Sequence, residues 1–286
     1  MKIQTRRKMQ CHPKIGYVNG SEKNECYPDE VNNILKKTWN KRYSGIKSKK
    51  IYSNDTNEIK KKLYEHNQEC DNDICILKNV LPSNEAKKHL TQYYAPIAKW
   101  SGDPQKWLNT TDIESVLMQY EEVFPSFNFL GVCPIDWETR LEDEYECICK
   151  KVCDLDLQNE QMKAFMKVAS VFNLDEHDEP GSHWVATYID IPSKKMYYFD
   201  SEGLRCPTRI KKIFHNLKKK PENLDLKFYS NYKVPHQKTN HECGMYCIYF
   251  ILYMIKYNDF EHFVNPNALI PDEEMHMLRT KYFNVL

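Results

Sequence analysis

The sequence predicts an α+β fold, with a central mixed sheet flanked by helices and a helical arm at the N-terminus. Residues 245–255 carry no charge and are apolar all round, which is typical of a helix buried inside a globular domain. Two alternating stretches, His183–Ile191 and Met196–Asp200, are joined by Pro-Ser-Lys and predict a strand hairpin. Residues 1–99 contain helical patterns without strand signals, so we assign them to the arm and residues 100–286 to the core.

Composition excludes several classes of protein. With a net charge of +1 over 286 residues, the chain has no strong attraction to nucleic acid or to an anionic membrane. The basic N-terminus is followed by no apolar segment, so we expect no signal peptide, and no apolar stretch is long enough to span a bilayer. The eleven cysteines favour free thiols, metal ligation or catalysis over a disulfide framework, as in a reducing intracellular compartment.

Three helices are expected in the arm. One begins after Pro28 and carries apolar residues at helical spacing. The others are expected at Glu58–His66 and between Ser83 and Pro96. The arm either packs against the core or contacts a substrate or partner, and the sequence leaves both roles open.

The core is predicted to alternate helices with strands. Its first helix begins with a capping box at Thr111–Glu114. Further helices are expected at Gln158–Lys167, Thr208–Lys219 and Pro271–Tyr282. Besides the hairpin, strands are expected at Phe127–Trp137, Tyr145–Val152, Ala169–Leu174 and Leu226–Tyr232.

Cys243 lies where a loop enters the buried helix. Backbone N–H groups at a helix start are unpaired and carry partial positive charge. A thiol at this position is shifted towards the thiolate, which is the nucleophilic form. Free cysteine is also a common small core residue, so position alone leaves a structural role open. Cys247, one helical turn further on, is interpreted as core.

A cysteine hydrolase also needs a base and an acid that orients the base. His183 begins the first strand of the hairpin and Asp200 ends the second, so antiparallel pairing places them opposite each other to within about two residues. Asp190 lies at the far end of the same hairpin, about 23 Å from His183, and is too distant to be the partner. Both residue types are also ordinary at strand ends and turns.

Gln237 precedes Cys243 by six residues, in the loop that approaches the helix. Its side-chain amide can face the same carbonyl as the Cys243 N–H, and the two donors would form an oxyanion hole. Glutamine in a loop is also often simply solvated. His236 and His241 are nearer to the cysteine in sequence, but nothing orients them, so we prefer His183 as the base.

Three segments together resemble the SUMO-protease-like cysteine proteases, the group of ubiquitin-like-protein-specific and adenovirus-type enzymes: Gly181–Trp184, Tyr198–Ser201 and Gln237–Gly244. The order His, Asp, Cys agrees with that group, as do spacings of seventeen residues from His to Asp and six from Gln to Cys. Residues 107–117 look like the Trp-Leu-Asn opening and helix of its catalytic domain. Within the group, the chain resembles in particular the polyprotein-processing proteases of large DNA viruses, of the African swine fever virus type.

The resemblance implies a role for each residue of the set. Cys243 would be the nucleophile, His183 the general base and then acid, and Asp200 the residue that orients His183. Gln237, with the Cys243 amide, would hold the oxyanion. The substrate-binding residues would be Trp184 and Gly244.

The chain departs from the African swine fever virus type at two positions. Asp200 stands where that type has asparagine, and Asn240 stands where it has a second glutamine, which leaves Gln237 as the better oxyanion donor. The group typically cleaves after small residues, often Gly-Gly. The resemblance therefore implies a thiol endopeptidase that processes viral structural polyproteins during virion maturation, in the virion and the host cytoplasm.

Two other functions stay open, and each has a protein as its partner. The chain could be a deconjugating protease that removes a ubiquitin-like modifier, or an inactive module that binds such a protein. The intact set of Cys, His, Asp and Gln argues against the inactive module. We expect no cofactor. Cys147, Cys149 and Cys153 have a spacing seen in metal sites but lack an evident fourth ligand, so we expect no metal.

Overall fold

A computed structural model describes residues 7–15, 26–98, 100, 103, 105–141, 145–160 and 162–285. The chain divides into two units, one formed by Met1–Ala98 with Lys281–Leu286 and the other by Lys99–Thr280. The first unit is helical, and the second contains a five-stranded sheet and the set of residues singled out above. None of the described helices has both the length and the apolar composition needed to cross a bilayer.

The first unit contains a group of helices and one short strand pair. Its longer helices, among the residues that the structure describes, are α1 (Asp29–Arg42), α2 (Thr56–His66), α3 (Asp73–Val80) and α4 (Ser83–Tyr93). Strand β1 (Ile97–Ala98) pairs in parallel with β7 (Asn284–Val285). The three predicted helices are confirmed. The sequence reading missed α3 because its eight residues give little more than two turns of periodicity.

The second unit contains a mixed sheet, as predicted. Its strands are β2 (Phe127–Cys133), β3 (Lys167–Asn173), β4 (Trp184–Asp190), β5 (Lys195–Phe199) and β6 (Lys227–Ser230). The spatial order follows the chain, with parallel pairs at the two edges and antiparallel pairs in the centre. The predicted hairpin is confirmed: Asp190 pairs with Lys195, and Ala186 pairs with Phe199.

Helices cover both faces of this sheet, so β4 is buried along its whole length. The helices are α5 (Thr110–Val123), α6 (Lys150–Cys153), α7 (Thr208–Lys218), α8 (Cys243–Tyr257), α9 (Glu261–Val264) and α10 (Asp272–Tyr282). On one face Tyr188 packs edge-on against Phe250 of α8. On the other, Val185 and Ile189 share an apolar cluster with Ile213 of α7. Burial of α8 between the sheet and other helices explains why its sequence is apolar all round.

The capping box of α5 lies two residues earlier than predicted. Asn109, not Thr111, is the N-cap, and its side chain accepts a hydrogen bond from the Asp112 N–H. The Asp112 carboxylate accepts one from the Asn109 N–H in return. Both residues have an acid three positions on, and sequence spacing alone does not choose between two overlapping boxes.

Two further predicted elements are wrong. Residues 145–152 form turns and the start of α6 instead of a strand. Among the described residues of 158–167, a 3-10 turn at Met162–Ala164 and the start of β3 stand where a helix was predicted. The local backbone is bent here by a side chain, since Asp156 accepts a hydrogen bond from the Gln158 N–H.

Eight of the eleven cysteines form disulfides, which corrects the expectation of free thiols. The pairs are Cys11–Cys26, Cys70–Cys75, Cys133–Cys149 and Cys147–Cys153. Their Cα atoms lie 5.0 to 6.7 Å apart, within the reach of a disulfide. Composition gives the number of cysteines and not which of them meet, so it could not reveal these pairs. The three free cysteines are Cys206, Cys243 and Cys247.

Candidate active site

Cys243 is the first residue of α8, and only 2% of its surface is exposed. Glu242 is the N-cap, and its side chain makes no capping hydrogen bond to the backbone N–H groups at the start of α8. A Cβ added to Gly244 would lie 3.0 Å from Leu108 Cβ and 3.3 Å from Trp184 Cδ1. Glycine therefore allows the start of α8 to pack closely against both residues.

The β4–β5 hairpin brings His183 and Asp200 together. His183 immediately precedes β4 and Asp200 immediately follows β5, so the observed register leaves them on the same end of the hairpin. His183 Nε2 lies 2.8 Å from Asp200 Oδ1. The imidazole also hydrogen-bonds the Cys243 side chain. Because Nε2 serves Asp200, Nδ1 is the ring nitrogen left for the cysteine.

Opposing effects act on the pKa of His183. The His183 side chain is 12% exposed. Burial by itself lowers the pKa, but hydrogen bonds to Asp200 and Cys243, with the charges of both, outweigh burial and raise the pKa to about 10. His183 therefore carries a proton at neutral pH. A protonated imidazole beside the Cys243 side chain is placed to serve as an acid–base group for chemistry at that sulfur.

Asp200 is held from several directions and has no exposed surface. Its Oδ1 also accepts a hydrogen bond from the Glu202 N–H at 2.9 Å, and Tyr198 Oη donates to Oδ2 at 3.4 Å. Asn231 Oδ1 accepts from the Asp200 N–H, and Asn231 Nδ2 donates to the Asp200 carbonyl. Sequence reasoning missed Asn231, because an asparagine after a strand carries no distinguishing signal.

Gln237 is 7% exposed, and its side-chain amide is fixed at both ends. Ser201 Oγ donates to Gln237 Oε1 at 2.9 Å, and Gln237 Nε2 donates to the Thr239 carbonyl at 2.6 Å. A side-chain NH2 carries two protons, so Nε2 keeps one for a further acceptor. Ser201 follows Asp200 in the chain, so these bonds hold Gln237 beside the His183–Asp200 pair.

The residues that sequence reasoning set aside lie in other environments. Asp190 accepts a hydrogen bond from Asn258 Nδ2 at 2.8 Å, at the opposite end of the hairpin. His236 is fully buried, with Nε2 3.0 Å from the Phe263 carbonyl and Nδ1 accepting from the Ile270 N–H. Both ring nitrogens of His236 are therefore engaged away from Cys243.

A buried ion pair lies directly before the cysteine. Glu242 and Arg279 are 1% and 2% exposed, and Arg279 Nε lies 2.9 Å from Glu242 Oε2. The same guanidinium donates to the carbonyls of Lys106 and His241. Burial raises the pKa of Glu242, against the lowering effect of Arg279. The ion pair anchors the loop that ends at Cys243, and sequence spacing gave no sign of it.

A cavity of about 460 Å³ opens beside the start of α8. Its walls include Trp107, Leu108, Gly181 and Trp184. Trp184 Nε1 donates to the Leu108 carbonyl at 2.8 Å, which ties the two walls together. Leu108 and Trp184 are also in close contact with Gly244, so two of the cavity walls pack against the start of α8. Trp184 lines the cavity, whereas Gly244 lies behind Leu108 and Trp184 and is not one of its walls.

A second histidine–aspartate pair borders the same cavity. His177 Nδ1 lies 2.6 Å from Asp136 Oδ2, and the His177 N–H donates to Asp136 Oδ1 at 3.0 Å. The His177 side chain is one of the cavity walls. Sequence reasoning did not single out His177 or Asp136 and missed this pair.

Comparisons with known proteins agree with the geometry. The Ulp1 protease family, C-terminal catalytic domain, matches residues 138–285, which is more than half of the chain. A putative thiol protease of Acanthamoeba polyphaga mimivirus is 33% identical over 188 residues, covering 62% of this chain and 57% of that protein. A cysteine protease of African swine fever virus is 24% identical over 173 residues, covering 59% and 58%. The chain thus spans less than two thirds of the length of these relatives.

A solved structure shares the fold. The crystal structure of an African swine fever virus protease superposes with a TM-score of 0.63 at 18% identity, covering 99% of this chain and 98% of that one. The three site segments, Gly181–Trp184, Tyr198–Ser201 and Gln237–Gly244, lie within the residues matched by the family. The chain belongs to the Ulp1 protease family, a family of cysteine proteases.

Proposed function

We propose that the chain is a thiol endopeptidase in which Cys243 is the nucleophile and His183 serves as both general acid and general base. Asp200 orients His183, and Gln237 with the Cys243 backbone N–H forms the oxyanion hole. One observation carries the proposal: a buried cysteine at a helix start hydrogen-bonds a histidine whose other ring nitrogen lies 2.8 Å from a fully buried aspartate. These are the parts that thiol-based acyl transfer requires.

The first half of the reaction forms a thioester. The Cys243 thiolate attacks the carbonyl carbon of the scissile peptide, and the carbonyl electron pair moves to oxygen. The second proton of Gln237 Nε2 and the Cys243 N–H stabilise that oxyanion. As the intermediate collapses, the C–N bond breaks, and His183 transfers its proton to the departing amine.

The second half restores the enzyme. Neutral His183 takes a proton from water, and the water oxygen attacks the thioester carbonyl. The C–S bond then breaks, which releases the acid product and returns the thiolate beside an imidazolium. Asp200 holds the ring in place throughout, as expected for an orienting carboxylate.

The proposed substrate is a viral structural polyprotein cleaved after small residues during virion maturation, in the virion and host cytoplasm. Both relatives are proteins of large DNA viruses, and one is named a thiol protease and the other a cysteine protease. Cleavage after residues without large side chains, such as those of Gly-Gly-Xaa, is what the resemblance to the SUMO-protease-like group implies.

A second candidate is a deconjugating protease for a ubiquitin-like modifier. The family match to the Ulp1 protease domain favours this candidate, and some African swine fever virus relatives are named SUMO-1 cysteine protease. A deconjugating enzyme obtains its affinity from the folded surface of the modifier, whereas a processing enzyme binds an extended segment. The two candidates therefore differ in the reporter that they cleave.

Two reporters test the proposal side by side. One is a short quenched peptide that contains Gly-Gly-Xaa, and the other is a folded ubiquitin-like protein with a C-terminal fluorophore. Cleavage of the peptide is expected from the endopeptidase, whereas cleavage of the folded reporter alone would indicate deconjugation. Cys243→Ala should remove activity by at least about 10³-fold. Cys247→Ala, one turn along the same helix, is the matched control and should stay active.

Thiol labelling separates an enzyme from an inactive binding module. The competing free thiols are less reactive by environment, because burial raises the pKa of Cys206 to about 12 and raises the pKa of Cys247 well above its ordinary value. Iodoacetamide should therefore modify Cys243 first at neutral pH, as shown by peptide mapping. Equal labelling of all three free cysteines, with no cleavage of either reporter, would favour the binding module.

A further inference from the structure

We infer that Ser201 is a positioning residue that aims the Gln237 amide into the oxyanion hole, an inference that rests on the proposed function. Ser201 is 1% exposed and directly follows Asp200. Its hydroxyl donates to Gln237 Oε1 at 2.9 Å. The last torsion of a glutamine side chain has broad preferences, so a buried partner is needed to hold its amide in one orientation.

The orientation of the amide follows from the chemistry of its two partners. The Thr239 carbonyl, 2.6 Å away, can only accept a hydrogen bond, so it must face the NH2 group of Gln237. The oxygen end therefore faces Ser201, whose hydroxyl must donate. If the hydroxyl were removed, buried Oε1 would lose its donor, and the amide would be free to rotate about its terminal bond.

Ser201 holds the main chain of the same segment as well. Its carbonyl accepts from the His236 N–H at 2.8 Å and from the Gln237 N–H at 2.9 Å. Ser201 therefore hydrogen-bonds both the backbone and the side chain of Gln237. This double attachment distinguishes Gln237 from a solvated loop glutamine.

The turn that carries Ser201 is rigid. The Gly203 N–H donates to the Asp200 carbonyl, and Gly203 has φ +66°, a left-handed conformation that side chains disfavour. A Cβ at Gly203 would lie 2.8 Å from the backbone of Pro235 and Val234. One short turn therefore supplies the carboxylate that orients His183 and, from the next residue, the hydroxyl that aims the oxyanion donor.

The test compares Ser201→Ala with the wild-type chain on a substrate that the wild type cleaves. We expect kcat to fall about 10-fold, less than the loss of a whole oxyanion donor, with KM changed by less than about twofold. A peptide aldehyde forms an oxyanion-bearing hemithioacetal with Cys243. The affinity of the Ser201→Ala variant for this inhibitor should therefore fall by a similar factor. Alkylation by iodoacetamide forms no oxyanion, so its rate should stay the same.

The double variant makes the inference falsifiable. In the Gln237→Ala background, Ser201→Ala should lower kcat by less than about twofold, because the amide that Ser201 positions is already absent. Multiplicative losses would overturn the positioning role, and so would a parallel fall in alkylation rate, which would indicate a disturbed fold. Ser201→Thr retains the hydroxyl and should recover part of kcat.

The failure of this inference can be told from the failure of the proposed function. If Gln237→Ala and Ser201→Ala both leave kcat unchanged while Cys243→Ala is inactive, the cysteine protease stands and the role of Ser201 is overturned. If Cys243→Ala retains full activity, the proposed function itself fails, and the role of Ser201 fails with it.

Discussion

The second unit contains two histidine–aspartate pairs. Their histidines, His177 and His183, are only six residues apart in the sequence, yet the surroundings of the two pairs differ. His183 lies 2.8 Å from Asp200, and His177 lies 2.6 Å from Asp136. The side chains of the first pair are 12% and 0% exposed, and those of the second are 33% and 5% exposed. Distance between ring and carboxylate therefore does not distinguish the two pairs.

The distinction lies in what else each pair contacts. Nearby charge and hydrogen bonding raise the pKa of both histidines, but His183 has an additional partner in Cys243. Asp136 uses its second oxygen to accept a hydrogen bond from the His177 backbone N–H. The aspartate thus binds both the ring and the main chain of the same residue. An aspartate–histidine contact alone can serve a purely structural role. When a thiol lies on the other side of the ring, the same contact becomes a candidate for catalysis.

Replacing each histidine with alanine should give the largest difference in activity between the two pairs. For His183→Ala we expect kcat/KM to fall by about 10³-fold, because proton transfer and electrostatic support of the thiolate are lost together. For His177→Ala we expect a change below about threefold, confined to KM, because this side chain lines the cavity and does not serve the thiol. Steady-state kinetics on the cleaved reporter measures both. Comparable losses from the two variants would show that the second pair also takes part in chemistry.

The aspartates give the next largest difference. Asp200→Ala should lower kcat by about 10²-fold, because the ring loses its orienting partner, a carboxylate with no exposed surface. Asp200→Asn should cost less, about 10-fold, because an amide oxygen can still accept from His183 while the NH2 group faces Tyr198 Oη.

Asp136→Asn is the matched control for the aspartates and should change kcat by less than about twofold. An amide oxygen there can still accept the His177 backbone N–H. If Asp136→Asn costs as much as Asp200→Asn, the contrast between the two pairs is wrong.

The two pairs also mark where sequence reasoning works and where it ends. The contact of His183 with Asp200 could be predicted because a single hairpin with two-residue periodicity joins them, and the position of Cys243 because an uncharged helix follows it. His177 and Asp136 are 41 residues apart in loops, where no periodicity fixes which residues meet.

The same limit applies to the supporting contacts. Ser201 and Gln237 are separated by 36 residues, and Arg279 and Glu242 by 37. The disulfide between Cys133 and Cys149 follows this pattern too, since its two cysteines are 16 residues apart in sequence. Local patterns predict elements and hairpin neighbours, whereas contacts between loops depend on how the elements pack.

The pH dependence of kcat/KM should be set by the pKa of His183 in the first pair. The pKa of His183 is raised from 6.5 to about 10, so its proton is available for the departing amine until the pH rises through about 10. The alkaline limb of kcat/KM should therefore lie near pH 10 instead of near 6.5. Asp200→Ala should move the limb to lower pH, and His177→Gln should leave it in place. A limb that stays at pH 6.5 in the wild type would contradict the tight His183–Asp200–Cys243 coupling.

The smallest expected effect is on the thermal stability of the protein, and it depends on the second pair, His177 and Asp136. The Asp136 carboxylate raises the pKa of His177. Burial of Asp136 is outweighed by its bonds to His177, so the pKa of Asp136 is lowered. A raised histidine pKa contributes stability that is complete below pH 6.5 and is lost as the pH rises through the folded-state value. A lowered aspartate pKa contributes stability that is complete above pH 3.8 and is lost as the pH falls through the folded-state value.

The stabilising effect of the second pair is therefore complete between these two limits. We expect His177→Gln to lower Tm by a few degrees at pH 5 and by less at pH 9, measured by differential scanning fluorimetry. His215→Gln, a change at an exposed position of α7, is the matched control and should shift Tm little at either pH. A Tm loss that is equal at both pH values would mean that His177 contributes packing alone. In that case the second pair would be a neutral hydrogen bond, and charge pairing would belong to the His183–Asp200 pair alone in this comparison.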